Sequence, residues 1–69
     1  MRVAKWSDIR IGAVVRSSQG YEYRVVAGPD VINGLHCVRA TSPGCVGAFY
    51  IWKEGVDEGR YTLITEGQQ

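Results

Sequence analysis

Apolar and polar positions alternate with a period of two from Ala13 to Val26. Ala13, Val15, Ser17, Tyr21, Tyr23 and Val25 share one parity, and Val14, Arg16, Glu22, Arg24 and Val26 share the other. Successive side chains of a strand point to opposite sides, so the split predicts a mostly apolar face and a mostly charged one. The break at Ser18, Gln19 and Gly20 predicts a hairpin, with strands over 13–17 and 21–26. Gly20 takes the left-handed position that closes a three-residue loop with a bulge. In this register Arg16 faces Glu22, a solvated pair worth about 0.2–1 kcal/mol.

Further along, Gly28-Pro29-Asp30 and Asn33-Gly34 carry turn chemistry, which puts Val31 and Ile32 in a connecting loop. Three more strands are expected over 35–41, 48–53 and 60–65, with a loop over 42–47 and a turn or short helical turn over 54–59. The strand segments are rich in Val, Ile, Tyr, Phe and Thr, which suit a pleated, half-buried surface. Ser7 and Asp8 are placed to cap one helical turn across Ile9 and Arg10 that ends at Gly12. That turn would plug one end of the sheet with Trp6, Ile9 or Ile11. Nine glycines cut the chain too finely for a long helix. The expectation is an all-β domain over 1–65 with a polar C-terminal tail over 66–69.

The spacing Gly12, Val15, Gly20, Tyr23, Val25, preceded by Asp8-Ile9-Arg10-Ile11, resembles the opening of small SH3-like barrels of the Tudor and KOW type. Many short bacterial and phage proteins look like this. The resemblance implies a five-stranded antiparallel barrel with a short helical turn near its N-terminus. It also implies a module that binds protein, peptide or nucleic acid, with no particular ligand singled out. KOW barrels place Lys or Arg near the tip of this hairpin for RNA, whereas here the tip is Ser17, Ser18 and Gln19.

Length and charge narrow the choices. Sixty-nine residues supply one core at most. Eight Lys and Arg against seven Asp and Glu leave a formal charge of +1, without the strong field of a dedicated nucleic-acid binder. No apolar run reaches the roughly 20 residues that span a bilayer, and residues 1–8 lack a signal-peptide apolar stretch. Two cysteines are fewer than a disulfide-dependent secreted scaffold carries, so the chain reads as cytosolic with reduced thiols. Cys37 is expected about four residues down a strand from the loop that holds Cys45. At about 3.3 Å per residue this is beyond the 7 Å reach of a disulfide.

Catalytic and metal chemistry find little support. His36 and Cys37 are adjacent on a strand and point apart, so they make no nucleophile and base pair; Cys45 with His36 is geometrically open but has no recognisable third group or oxyanion hole. Zinc prefers four donors with a close cysteine pair; here Cys37 and Cys45 are eight apart and a site would need Asp57 or Glu58. The glycine turns at Gly28 and Gly44 lack the lysine and following helix of a phosphate loop. The expectation is a non-enzymatic protein with no metal site and no cofactor.

The grouping that stands out comes from pairing Thr41 with Ala48. Arg39 then faces Tyr50 and Cys37 faces Trp52 on one side, while Ala40 faces Phe49 and Val38 faces Ile51 on the core side. Arg, Tyr and Trp are the residue types in which binding energy concentrates. Arg39, Tyr50 and Trp52 are therefore the candidate partner-binding residues, unless Trp52 covers an open end of the barrel against Trp6. The leading expectation is a protein-binding module, of the kind with which a phage or prophage product attaches to a host factor. The alternative is a nucleic-acid binder, stacking bases on Tyr or Trp and touching phosphates with Arg10, Arg16, Arg24, Arg39 and Arg60.

Overall fold

The structure, a computed structural model, describes residues 1–68. Its elements are β1 (Arg2–Val3), a single 3-10 turn (Trp6–Asp8), β2 (Val14–Ser17), β3 (Glu22–Ile32), β4 (Leu35–Thr41), β5 (Phe49–Trp52), α1 (Lys53–Asp57) and β6 (Tyr61–Thr65). All pairings are antiparallel, in the order β1-β6-β2-β3-β4-β5. Among the described residues the ladder is open: β1 pairs only with β6 and β5 only with β4. The described residues are thus all-β with one short helix, and they form six strands where the sequence predicts five. The extra strand is Arg2–Val3, too short to carry a period.

The first hairpin has the register its alternation predicts, with Val14 opposite Arg24, Val15 opposite Tyr23 and Arg16 opposite Glu22. The Ser17 N–H donates to the Tyr21 carbonyl at 2.8 Å and the Gly20 N–H donates to the Ser17 carbonyl at 2.9 Å. Gly20, at φ +92°, takes the left-handed conformation that favours glycine. Arg16 and Glu22 meet at 3.3 Å with both side chains in solvent, so the pair adds little.

Val31 and Ile32 are not in a loop. β3 runs through them to Ile32, opposite His36 and Leu35 of β4. Its register shifts between Val25 and Ala27 and again between Ala27 and Asp30, so the Gly28-Pro29-Asp30 segment is carried as an irregularity of the strand. A bulge is where a strand tolerates a proline that has no N–H for the ladder. Gly28 is needed there because a Cβ would lie 3.1 Å from the Val38 Cα. The reversal follows Ile32, at Asn33 (φ +52°) and Gly34 (φ +79°).

The inward residues gather into one core: Ala4, Ile9, Ala13, Val15, Val25, Val38, Ala40, Ile51, Val56 and Leu63. Trp6, Tyr23 and Tyr61 pack half-buried against it. Trp6 and Ile9 plug the core as expected, but Ile11 is exposed. The helical turn lies earlier than its expected place at Ile9 and Arg10, because Asp8 caps it from within. The Asp8 carboxylate accepts the Lys5 N–H at 2.9 Å and is gripped by both Arg2 guanidinium nitrogens at 2.6 and 2.9 Å. The Arg2 hydrogen bonds, helped by the Lys5 N–H, lower the Asp8 pKa from 3.8 to about 2.

The C-terminal segment is tied down through Gln68, whose N–H donates to the Ile11 carbonyl at 2.9 Å. Gly67 lies so close to this turn that a Cβ would sit 2.8 Å from the Arg10 oxygen and 2.9 Å from the Ala13 nitrogen. Its polar composition reads as solvated, but the attachment is made by backbone groups. Gln69, the last residue of the expected tail, lies outside the described residues.

Candidate functional site

Strands β4 and β5 pair without a bulge in the register predicted for them: Cys37 opposite Trp52, Val38 opposite Ile51, Arg39 opposite Tyr50 and Ala40 opposite Phe49. Alternation then sorts the side chains of β5. Ile51 is 1% exposed in the core, whereas Tyr50 is 46% and Trp52 36% exposed on the opposite side. Two residues apart on one strand, their rings lie 5.7 Å from each other at 36°. Arg39 is exposed on the neighbouring strand, opposite Tyr50. The three candidate residues are therefore together, and it is Trp6, not Trp52, that packs against the core cluster. Phe49 turns inward, edge-on to Tyr23 at 5.5 Å.

Cys37 shares the parity of Arg39 yet is fully buried, and Cys45 is exposed in the loop between β4 and β5; both thiols are free. His36 is exposed. Among the described residues no three His, Cys, Asp or Glu side chains come together as metal ligands. No described helix is long and apolar enough to cross a membrane.

Two features of this face escape a reading of the sequence. Leu35 has the strand parity of Arg39 and is 53% exposed, and together with Trp52 it walls a concavity of about 370 Å³. Glu54 and Asp57 of α1, with Glu58 at the helix end, complete its lining. The only sequence signal was the odd parity of Leu35, Cys37 and Arg39; the wall from α1 depends on how the helix turns back after β5. Asp57 is bound by Lys53 at 2.6 Å and Glu58 by Arg60 at 2.7 Å. Among the described residues Arg39 and Glu54 take part in no ion pair.

The second feature is the strand edge. β5 lies at the end of the sheet, and Phe49-Tyr50-Ile51-Trp52 carries no charge, proline or bulge to discourage another strand from pairing with it. Backbone groups for a ladder and side chains of hot-spot type lie side by side. No family model, curated protein or solved structure matches this chain.

Proposed function

We propose that the chain is a non-enzymatic protein-binding module that engages its partner through Arg39, Tyr50, Trp52 and the free edge of β5. The observation that carries this is the exposed Tyr50 and Trp52 pair beside Arg39 on an unpaired strand. Rigid aromatic rings give large contact area for little lost side-chain freedom, and an open strand edge adds backbone hydrogen bonds to an incoming segment. The likeness of the first hairpin to Tudor and KOW barrels supports an SH3-like fold. That likeness and the small size extend the proposal to a phage or prophage product acting on a host factor in the cytosol.

The test is capture of interacting proteins from the native host, followed by titration with variants. Replacing Arg39 and Tyr50 together by alanine should weaken the complex at least about thirtyfold while the melting curve of the free protein stays nearly unchanged. An unfolded double variant whose folded fraction binds normally would show that these side chains serve the fold alone.

A second reading, nucleic-acid binding, is favoured by one observation. Arg24 pairs with Thr41 and Arg39 with Ala27, which puts both arginines on the outer side of the sheet with Tyr50 and Trp52. Phosphate contacts release counterions, so binding to mixed nucleic acid that falls steeply between low and moderate salt would favour it over the protein partner.

A further inference from the structure

Three of the chain's seven carboxylate side chains, Glu54, Asp57 and Glu58, fall within residues 54–58, although the chain as a whole carries a charge of +1. Glu54 and Glu58 are one helical turn apart, with the Glu58 N–H donating to the Glu54 carbonyl at 3.0 Å. Like charges at this spacing work against a helix, and the last turn of α1 holds no basic residue to offset them. The local structure gains nothing from gathering acid here.

All three carboxylates line the concavity walled by Leu35 and Trp52, against one lysine, Lys53. Lys53 is already taken by Asp57 at 2.6 Å, Arg60 meets Glu58 at 2.7 Å, and among the described residues Glu54 takes part in no ion pair. The site therefore combines an exposed aliphatic side chain, an exposed indole and an excess of negative charge. A second, smaller concavity of about 270 Å³ shares Trp52, Glu54 and Glu58 but adds Arg60, which repels a cation.

A long side chain with an apolar stem and a flat cationic head matches each of these features. Its methylene groups pack on Leu35, and its head stacks on the Trp52 indole while donating N–H groups in its own plane to the Glu54 carboxylate. Lysine matches them less well, because its ammonium is a compact and strongly hydrated charge with no plane to stack. A nucleic acid brings phosphate to a place that repels it. From this charge and shape complementarity we propose that the concavity between Leu35 and Trp52 takes an arginine side chain of the partner protein. The inference rests on the reading of this face as a protein interface and names the chemistry that meets it.

The test is an NMR titration of the whole chain with acetyl-Gly-Arg-Gly-amide, following the indole N–H of Trp52 and the methyl groups of Leu35. Both signals should move and saturate with a Kd on the order of a millimolar, as suits a single anchoring side chain. The citrulline peptide, of the same shape without the charge, should bind about fivefold more weakly, and the lysine peptide more weakly than the arginine one. Glu54→Gln should weaken the arginine peptide about threefold without lowering the melting temperature, since it relieves the like charge at Glu58. Trp52→Leu should weaken it as well; should that variant fail to fold, the citrulline and Glu54→Gln readouts stand. Signals that move only outside the concavity overturn the proposal, as does equal binding of the citrulline peptide. Equal binding of the lysine peptide overturns the assignment to arginine. A single-stranded oligonucleotide that moves the Trp52 signal where the arginine peptide does not overturns it in favour of nucleic acid. A captured host protein that needs Arg39 and Tyr50 yet binds the Glu54→Gln chain normally overturns the arginine anchor and leaves the protein-binding reading standing. A peptide that binds as expected, while the Arg39 and Tyr50 double variant keeps its captured partner, supports the anchor and overturns the role given to those two residues.

Discussion

The two ends of the sheet are managed in opposite ways. At one end β1 is two residues long, pairs with β6 through Arg2 and Val3, and has its arginine locked onto Asp8 within the following turn. Short length and a fixed charge are common devices against unwanted pairing. At the other end β5 offers four uncharged residues, three of them aromatic, with no such device. One sheet thus closes one border and leaves the other open. An edge left open beside exposed aromatic rings is the place to look for a partner.

The contrast sets the largest expected effect on stability. Ile51→Ala removes a core side chain beneath the open edge and should cost about 3 kcal/mol, whereas Val3→Ala at the closed edge, 58% exposed, should change stability by less than about 0.5 kcal/mol. Urea unfolding curves measure both. Equal losses would mean that the closed border carries as much of the core as the open one.

Gly67→Ala should come next. Its Cβ would press on backbone atoms of Arg10, Ile11 and Ala13, none of which can swing aside, for a loss of roughly 2 kcal/mol. The damage should centre on the turn at Arg10–Ala13 and leave β5 intact, so amide exchange should quicken at Ile11 and Ala13 well before it does at Ile51. A uniform acceleration would remove the distinction between the two ends.

The smallest effect concerns acid. The Asp8 pKa is lowered on folding from 3.8 to about 2, so its carboxylate stabilises the fold fully above the ordinary value. That contribution is lost as pH falls from about 4 toward about 2. Asp8→Asn should therefore lower stability at neutral pH and flatten the stability profile within that acid window. An unchanged slope would mean that the clamp on β1 is loose in solution.

The sequence shows some of this because period-two alternation and turn chemistry act locally. Arg16 opposite Glu22 and Arg39 opposite Tyr50 follow from counting residues across a loop whose ends are clear. Other features depend on contacts that have no pattern in the chain. Arg2 and Val3 are too few to show a period, so β1 escapes notice. Gly28-Pro29-Asp30 reads as a reversal, yet the strand absorbs it because irregular pairing with β4 keeps both sides of the bend attached. Gly67 and Gln68 hold the Arg10–Ala13 turn by backbone groups, to which side-chain composition is blind. Leu35 joins Trp52 in one concavity only once α1 has folded back to supply Glu54 and Glu58.

The different burial of the two thiols has a practical consequence. Cys37 is sealed and Cys45 stands in solvent on the loop that leads from β4 into β5, its N–H held by the Ser42 carbonyl at 3.1 Å. A maleimide dye added to the native chain would therefore attach at a single place, beside the open border and without any engineered residue. A change in its emission when a partner is added would test the interface proposed for Arg39, Tyr50 and Trp52.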